Sequence, residues 1–540
     1  MSRSAVELPL VADRAEALPL STQIVGQLRE AMADGRLAAG ERLPSTRVLA
    51  TMLGVSRTVA TAAYAQLFAE GWTEGRHGSG TYVAEGAPGS SGARPPPGRR
   101  AAASARGGFP PGPVAGGMPG GAPGSVADGM PDGVPVPVAG GPAGSVASVA
   151  GEHAGLTPAA PEGSPNGAAP GSPQAAPLIE LRPGIPWVPG IDRAAWRRAW
   201  RSAGAEGPAT HAEPSGLPEL RSALTGYLRR SRGVRCTPAE ILVTRGVAGS
   251  LGLIAAGLLR RGDLVGVEEP GYPAARAVFG AHGARVVPCR VDAGGLVVDE
   301  LPAGLKMIYT TPAHQYPLGG RLPVPRRQAL VGWAHAHGAL ILEDDYDGEF
   351  RYDVAPLPAL YGLDPSAVIY LGTTTKTLTQ TLRVGWLVAG EALVSRLAET
   401  AARLGDWAAE PAQRAVLTLV RTGDLERHIR RMRHEYARRR AVLAAAFGDG
   451  SAGRMLGDEA GMHMVLQTHQ DPRAVATAAR ERGVAVSTLE RYYSGPPVTN
   501  GLLLGYGGCP IADVARACEV LTDILRLPDP APAAGSRLQR

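Results

Sequence analysis

One segment of the sequence places an amine, several hydroxyls and a guanidinium close together. GTTTKTLTQTLRVG, residues 372–385, contains Lys376, one of only two lysines in the 540-residue chain. An amine can lose its proton and condense with an aldehyde, whereas a guanidinium stays protonated and is a poor nucleophile. Thr373 and Thr375 flank the lysine, and Arg383 follows seven residues later, where it can bind a phosphate through two hydrogen bonds. These residues predict a site that captures a phosphate-bearing aldehyde.

Earlier segments provide the other parts that such a site needs. In VTRGVAGSL, the turn at Gly246 precedes a predicted helix whose N-terminus can bind phosphate. ALILEDDYDGEFRY, residues 339–352, places several carboxylates at the end of a predicted strand. A carboxylate there can keep a ring nitrogen protonated and make the ring an electron sink. The other lysine, Lys306 before the MIYTT strand, is interpreted as an exposed strand-end residue.

Alternating strands and helices must position these residues. From about residue 179, apolar runs such as EILVT, LVGVE, MIYTT and ALILED alternate with amphipathic helical stretches. That alternation is typical of βαβ units and of a largely parallel sheet in an α/β domain. We predict this domain over residues 179–527, with a small subdomain from about residue 425 and a tail at 528–540.

The first 85 residues have the pattern of a separate, small helical domain. Ser45 and Ser56 each precede a short helical stretch and can cap its start, and Gly54 between them provides a turn. Two short helices joined by such a turn form a helix-turn-helix. WTEGRHGSGTYVAE then predicts a two-stranded wing around a Gly-rich turn.

This N-terminal stretch resembles the winged helix-turn-helix domain of GntR-family transcription regulators. The matching segments are LAAGERLPSTRVLA, LGVSR, AYAQLFAEGW and HGSGTYV. The resemblance implies that the helix beginning at Ser56 enters the major groove of double-stranded operator DNA. The residues that it implies at the DNA are Arg47, Ser56, Arg57, Thr58, Thr61, His77 and Gly78. Val59 departs from the family pattern, which usually has a threonine there, so the sequence preference is expected to differ.

Residues 86–178 predict a linker. The stretch is dominated by Gly, Pro, Ala and Ser, as in GGMPGGAPGSVADGMPDG, and cannot bury enough apolar surface to offset its ordering entropy. We therefore expect an unusually long disordered tether between two folded parts.

Composition narrows the compartment and the class of protein. The formal net charge of +6 permits an anionic partner without requiring one. The four cysteines are widely spaced and show neither a disulfide framework nor a CxxC pair, so we predict a reducing cytoplasm. We predict no metal site. The start of the chain lacks the layout of a signal peptide, and the absence of a run of about 18 apolar residues predicts no membrane span.

The lysine segment resembles the Schiff-base segment of fold-type I pyridoxal 5'-phosphate (PLP) enzymes, the aspartate aminotransferase superfamily. That superfamily has roughly Ser-x-Ser-Lys followed by an arginine, and threonines replace both serines here. The resemblance implies a Schiff base between Lys376 and PLP, with Tyr272 of EEPGYP stacked on the ring. It also implies Asp344 against the pyridine nitrogen, with Asp345 as the rival, and Tyr346 on the ring oxygen. The residues implied around the phosphate are Gly246, Val247, Ala248, Thr373, Thr375 and Arg383.

The two parts together resemble the MocR subfamily of GntR-family regulators, in which such a head is joined to an aminotransferase-like domain. EPGYPAAR, TPAHQYPLGG, EDDYDGEFRY and HIRRMRHEYARRR are close to the sequences of that subfamily. The resemblance implies a homodimer that binds PLP covalently and regulates vitamin B6 or amino-acid metabolism genes. Its expected small-molecule effector is PLP or the aldimine of PLP with an amino compound.

Departures from the aminotransferase pattern favour a regulator over a working enzyme. Transaminases that bind an α-carboxylate usually have an arginine in a late strand, where this chain has Leu503 in GLLLGYGG. The loss of that charge-assisted pair would weaken substrate binding by about 1.5–3 kcal/mol. Val247 and Ala248 replace polar side chains of the phosphate cup, and His211 stands where a tyrosine commonly reaches the phosphate of the partner subunit. The alternatives left open are an active PLP-dependent aminotransferase and a DNA-binding protein whose cofactor fold is inert.

Overall fold

The computed structural model describes residues 10–526 apart from 16–17, 34–35, 71, 77–79, 85–177, 208 and 353–357. The predicted wing residues His77 and Gly78 lie outside the described residues, as do residues 86–177 of the predicted linker and the whole predicted tail. The elements that are described form an N-terminal part, here called the head, and a C-terminal part, here called the core.

Three helices and a hairpin make up the head. These elements are α1 (Leu20–Ala33), α2 (Thr46–Leu53), α3 (Arg57–Ala69), β1 (Thr73–Arg76) and β2 (Gly80–Val83). The side chain of Ser45 accepts a hydrogen bond from the N–H of Val48, and Gly54 ends α2 with φ 62°. Ser56 caps α3 in the same way through the N–H of Val59. Both predicted caps are thus confirmed, and a bend of 120° between α2 and α3 gives the predicted helix-turn-helix.

No single helix in the described part of the chain is long and apolar enough to cross a membrane. The bent pair of α2 and α3 meets the length and composition criteria only when the two helices are counted together.

An eight-stranded sheet forms the centre of the core. The core strands are β3 (Ile179–Glu180), β4 (Ile241–Thr244), β5 (Leu264–Glu269), β6 (Arg285–Asp292), β7 (Gly295–Leu296), β8 (Leu305–Thr310), β9 (Leu340–Asp344), β10 (Val368–Thr373), β11 (Gly385–Val388), β12 (Arg454–Leu456), β13 (His463–Gln467), β14 (Val484–Ala485), β15 (Ser487–Thr488) and β16 (Leu502–Gly505). The strand order of the large sheet is β4-β11-β10-β9-β8-β5-β6-β7, and only β11 and β7 run against the other strands. This confirms the predicted α/β domain with a largely parallel sheet.

Helices connect the strands and cover the sheet. They are α4 (Arg193–Ala205), α5 (Pro218–Arg232), α6 (Val247–Leu258), α7 (Pro273–Ala281), α8 (Val324–His337), α9 (Glu391–Leu404), α10 (Glu410–Arg421), α11 (Asp424–Phe447), α12 (Pro472–Glu481) and α13 (Ile511–Arg526). The strands of the large sheet are buried runs such as Ile241–Thr244 and Val368–Thr373, as expected for a sheet with both faces covered. Because parallel strands end at the same edge, the segments that follow them meet there.

A smaller antiparallel sheet lies after α11. Its order is β12-β13-β16-β15, and α13 packs against both α11 and α12. β14 pairs in parallel with β3, so the first strand of the core is tied to the C-terminal region.

Candidate cofactor site

A cavity of about 320 Å³ opens where the parallel strands of the large sheet end. The structure brings to its walls all ten residues that the sequence analysis assigned to a cofactor: Gly246, Val247, Ala248, Tyr272, Asp344, Tyr346, Thr373, Thr375, Lys376 and Arg383. Seven further lining residues were not predicted: Pro183, Gly184, Arg245, Tyr309, Thr311, Tyr316 and Gln380. The ends of β4, β5, β8, β9 and β10 carry most of these residues or directly precede them.

The side chain of Lys376 is half-buried, and its amine is held against the backbone. Its Nζ donates a hydrogen bond of 2.9 Å to the carbonyl oxygen of Gly184, which also accepts one from Gln380 Nε2. Gly184 has φ 87°, a backbone conformation that favours glycine, and a Cβ there would lie 2.7 Å from the Lys376 amine and displace it. Burial lowers the pKa of Lys376, although the nearby carboxylates of Asp347 and Asp344 oppose that shift. A lowered pKa increases the neutral fraction of the amine, which is the nucleophilic form.

The end of the cavity beside α6 has the features of an anion-binding site. Gly246 caps α6 without a side-chain hydrogen bond, and Val247 and Ala248 of the first turn line the cavity. The N–H groups of a first helical turn have no partner within the helix and can bind an anion. The hydroxyls of Thr373 and Thr375 lie 2.9 Å apart, and a Cβ at Gly246 would lie within 3.8 Å of both. Helix dipole, N–H groups and two hydroxyls therefore converge at one place.

Arg383 adds a cation to the same cavity. It is the only non-glycine residue with positive φ (53°) among the described residues. Within the described part of the chain, its guanidinium forms no hydrogen bond or ion pair, and it is exposed to solvent. A strained backbone that holds a free guanidinium in a cavity is typical of a ligand-binding residue.

Asp344 and Asp345 have different surroundings, although they are consecutive. The hydroxyl of Tyr309 donates to Oδ2 of Asp344, while Oδ1 of Asp344 is buried without a hydrogen-bond partner beside the cavity. Asp345 points elsewhere, because Arg232 binds both of its carboxylate oxygens and Tyr370 donates to it at 2.7 Å. Both members of the Asp345–Arg232 ion pair are fully buried, so Asp345 has no capacity left for a ligand. An orphaned carboxylate oxygen at Asp344 fits a protonated ring nitrogen.

Aromatic rings form the walls around the cavity. Tyr272 stacks towards Tyr309 with ring centroids 6.4 Å apart and meets Tyr316 edge to face at 6.0 Å. Tyr316 in turn contacts the rings of Tyr346 and Tyr492. A planar heteroaromatic ring can stack between such residues.

Tyr346 is supported by a buried group of His314, Asp347 and His463. Its hydroxyl donates to the carbonyl oxygen of His314 at 3.0 Å and lies 2.9 Å from His314 Nδ1. His314 Nδ1 also lies 3.0 Å from the carboxylate of Asp347, and His463 Nε2 lies 3.1 Å from the carbonyl oxygen of Pro317. The potential metal-ligating atoms of these three residues lie within 4.8 Å of one another. Because these contacts already engage the group, we interpret it as the support that fixes the orientation of Tyr346.

The environment of Asp344 predicts a pH dependence of stability. Burial raises the pKa of Asp344 to about 7 from its ordinary 3.8, and the hydrogen bond from Tyr309 only partly opposes this shift. Between these two pH values the unfolded chain loses this proton and the folded chain keeps it. The stability that the neutral carboxyl provides is therefore fully present below pH 4 and is lost as the pH rises through about 7.

We expect the free energy of unfolding of ligand-free wild type, minus that of Asp344→Asn, to fall as the pH rises from 5 to 7. The slope has an upper limit of about 1.4 kcal/mol per pH unit, the value for one proton. Urea denaturation of both proteins at several pH values measures it. Glu343 and Glu349, whose pKa values burial also raises to about 7, are present in both proteins. A difference that does not change with pH would contradict the expected protonation of Asp344.

Two residues that the sequence analysis noted as departures do not line the cavity. Leu503 is fully buried in β16, where it packs with Val465, Leu489 and Tyr492. His211 is exposed to solvent. The position expected for a carboxylate-binding arginine is thus part of an apolar cluster.

The described DNA-binding candidates lie on the surface of the head. Arg47, on α2, and Ser56, Arg57, Thr58 and Thr61, at the start of α3, are all exposed. Leu67 of α3 is fully buried against Ile24 and Leu28 of α1. The opposite face of α3 is therefore presented to solvent. This arrangement leaves the N-terminal turn of α3 free to enter a DNA groove.

Two family models match the chain, and together they define its class. Residues 192–521 match the model described as aminotransferase class I and II, and residues 20–83 match bacterial regulatory proteins, gntR family. The protein therefore combines a GntR-type helix-turn-helix domain with a fold-type I aminotransferase domain.

Curated relatives share this combination over nearly the whole chain. One is the HTH-type pyridoxine biosynthesis transcriptional regulator PdxR of Corynebacterium glutamicum, 32% identical, with 93% of this chain and 95% of the relative covered. Another is the probable rhizopine catabolism regulatory protein MocR of Rhizobium meliloti, 32% identical, with 92% of each chain covered. The chain belongs to the MocR subfamily of GntR-family transcription regulators, as the sequence analysis predicted.

Solved structures of aminotransferases are similar to about two thirds of the chain. An archaeal alanine:glyoxylate aminotransferase superposes with a TM-score of 0.61 at 25% identity and covers 65% of this chain and 91% of its own. A kynurenine aminotransferase from Pyrococcus horikoshii, at 24% identity and a TM-score of 0.60, has the same coverage. These similarities confirm the predicted fold of the core.

Proposed function

We propose that this regulator binds PLP in the cavity and changes its affinity for operator DNA in response. The observation that carries the proposal is the convergence of a half-buried amine, an orphaned carboxylate oxygen and a helix N-terminus around one cavity. In this proposal residues 1–85 bind DNA, residues 86–178 are a tether and residues 179–527 bind the effector. The protein acts as a cytoplasmic homodimer on genes of vitamin B6 or amino-acid metabolism.

The residues of the cavity have distinct proposed roles. Lys376 holds the aldehyde carbon covalently, while the first turn of α6 and Arg383 hold the phosphate. Asp344 keeps the pyridine nitrogen protonated, and Tyr272 stacks on the ring. Tyr346 binds the ring oxygen, with its hydroxyl oriented by His314. When bound, PLP supplies an electrophilic aldehyde, a phosphate dianion and a ring that withdraws electrons.

We propose a sensor in preference to a working aminotransferase. In the aminotransferase pattern an arginine for the substrate α-carboxylate stands at the position of Leu503, which in this chain is buried in an apolar cluster outside the cavity lining. An amino acid would then leave its carboxylate without a charged partner, which costs about 1.5–3 kcal/mol of binding. An assay for steady amino-group transfer to a 2-oxo acid tests the alternative, and the expected result is little or no turnover.

An electrophoretic shift assay tests the proposed function. The full-length protein is titrated onto the DNA upstream of its own gene, with and without PLP. The expected result is a PLP-dependent change in the dissociation constant, and pyridoxine 5'-phosphate, which lacks the aldehyde, should not reproduce it. Saturating PLP with no effect on binding to any such DNA would contradict the proposal.

One prediction concerns the proposed DNA-binding helix of the head, α3. Arg57→Ala removes a side chain that can bind guanine or phosphate from the N-terminal turn of α3, so we expect DNA affinity to fall by about 1–3 kcal/mol, or ~5–150-fold. Arg229→Ala is the matched control, since it removes the same charge from an exposed position on α5 of the core. Fluorescence anisotropy with labelled DNA at fixed salt measures both. An equal loss of DNA affinity in the two variants would mean that binding depends only on the net charge of the protein.

A further inference from the structure

The head and the core meet where two helices end. The N–H of Val324, the first residue of α8, donates a hydrogen bond of 3.3 Å to the carbonyl oxygen of Glu70, which caps the C-terminus of α3. The first N–H groups and last carbonyls of a helix have no partner within their own helix. This contact therefore pairs one such N–H group of α8 with one such carbonyl at the end of α3. It also brings the negative end of the α3 dipole to the positive end of the α8 dipole.

Side chains reinforce this contact. Val324 is 7% exposed and packs with the buried apolar residues of the head, although by sequence it belongs to the C-terminal part. Glu70 is itself fixed by an ion pair with Arg29 at 2.8 Å and a hydrogen bond from Gln66 at 2.5 Å. The carbonyl that meets α8 thus belongs to a buried, well-anchored turn.

The segment that leads into α8 also forms part of the cavity wall. Thr311 and Tyr316, which line the cavity, lie at one end of residues 311–324, and Val324 lies at the other. Backbone hydrogen bonds close this segment on itself, from Leu322 N to Pro312 O and from Gln315 N to Gly320 O. Because the segment is short and internally hydrogen-bonded, we expect a shift at its cavity end to move its α8 end as well.

Two buried side chains hold this segment from outside. Arg327 donates to the carbonyl oxygens of Leu322, Pro312 and Pro358. Glu268 accepts from the backbone and hydroxyl of Thr311 and from Gln315. The segment is therefore fastened to the sheet at its cavity end and to α8 at its other end.

The orientation of α3 gives this contact a consequence for DNA. The N-terminal turn of α3 carries Arg57, Thr58 and Thr61, and its C-terminal turn leads to Glu70. One rigid helix thus has the proposed DNA residues at one end and the core contact at the other. A change in how α8 holds Glu70 would therefore move the DNA-binding turn without transmission through the tether.

We infer that the N-terminal end of α8 is a docking surface for the C-terminal end of α3, and that this contact couples the cofactor cavity to DNA binding. The inference rests on the proposed function, because it describes how PLP in the cavity reaches the head. Linkage requires the coupling to be reciprocal, so that PLP changes DNA affinity and DNA changes PLP affinity by the same factor.

Val324→Asp is the test variant. An aspartate in the first turn is favourable for α8 itself, but it places a charge in the apolar core of the head and beside the C-terminus of α3. Ala329→Asp is the matched control, because it adds the same charge to an exposed position on α8. Val324→Ala is a milder second variant that keeps the backbone hydrogen bond.

The experiment measures the operator dissociation constant of each full-length protein with and without PLP, and the PLP dissociation constant with and without DNA. For each protein, one ratio compares the DNA dissociation constants with and without PLP, and the other compares the PLP dissociation constants with and without DNA. For wild type and Ala329→Asp we expect the two ratios to be equal, at about 5–150-fold. For Val324→Asp we expect both ratios to fall within about twofold of one, with PLP still bound, and Val324→Ala should be intermediate. A wild type without PLP response overturns the proposed function, whereas a responsive wild type with an equally responsive Val324→Asp overturns only the docking inference.

Hydrogen exchange gives a readout that needs no DNA. In wild type, PLP should alter amide exchange both in residues 311–324 and at the C-terminal end of α3. In Val324→Asp, only the first of these changes should remain. A PLP effect on α3 that survives in this variant would also overturn the inference.

Discussion

Lys376→Ala is expected to abolish the covalent capture of PLP. The amine lines the same cavity as Asp344 and the proposed phosphate site, and alanine has no nucleophile to replace it. After incubation with PLP and reduction with borohydride, wild type should carry one PLP adduct at residue 376, found by peptide mass spectrometry. The variant should carry none at this position and should lose the visible absorbance that PLP acquires in the wild type.

The affinity of the variant should fall without disappearing. The N-terminus of α6, Thr373 and Arg383 remain, and they can bind the phosphate without a covalent bond. We expect the dissociation constant for PLP to rise at least about tenfold, which corresponds to ~1.4 kcal/mol. Loss of the covalent bond with the noncovalent site intact would separate these two contributions.

The chain offers a matched control for this experiment. Lys306→Ala removes the only other lysine, which is exposed at the start of β8 and does not line the cavity. Lys376→Arg tests whether charge alone is enough, since arginine retains a cation but is not a nucleophile. An adduct at 306 in the wild type, or full adduct formation in a 376 variant, would exclude the proposed role of Lys376.

Short-range features of this protein were predictable from the sequence. Ser45, Gly54 and Ser56 act on backbone groups three or four residues away, so their types and spacing were enough to predict α2, α3 and the turn between them. The parallel sheet followed from the alternation of buried strands with helices. Because such strands end at one edge, the residues after β4, β5, β9 and β10 could be assigned to one site before their geometry was known.

Long-range partners were not predictable in the same way. Gly184 accepts the hydrogen bond from Lys376 across 192 positions of sequence, and Tyr309 reaches Asp344 across 35. Nothing in a single sequence specifies which tyrosine or which glycine folds back to a site. The contact of Glu70 with Val324 is of the same kind, since it depends on how two separately folded parts meet.

The choice between Asp344 and Asp345 shows this limit most clearly. Successive side chains of a strand point to opposite faces, so one of the two must face the cavity and the other must not. Sequence alone could not give the register. The structure provides it through Arg232, which lies 113 residues before Asp345 and binds both of its oxygens.

A pair of asparagine substitutions should separate the roles of these two carboxylates. Asp344→Asn removes the charge proposed to keep the pyridine nitrogen protonated, so PLP affinity should fall by about 1.5–3 kcal/mol, or ~10–150-fold. The fold should remain intact, because the amide oxygen can still accept the hydrogen bond from Tyr309. Asp345→Asn instead leaves Arg232 as a buried guanidinium without its counter-charge, which should destabilise the protein by about 3–5 kcal/mol. PLP titration and thermal unfolding of both variants measure the two effects. A stable Asp345→Asn protein with impaired PLP binding, beside an Asp344→Asn protein that binds normally, would assign the ring nitrogen to Asp345 and reverse the arrangement proposed here.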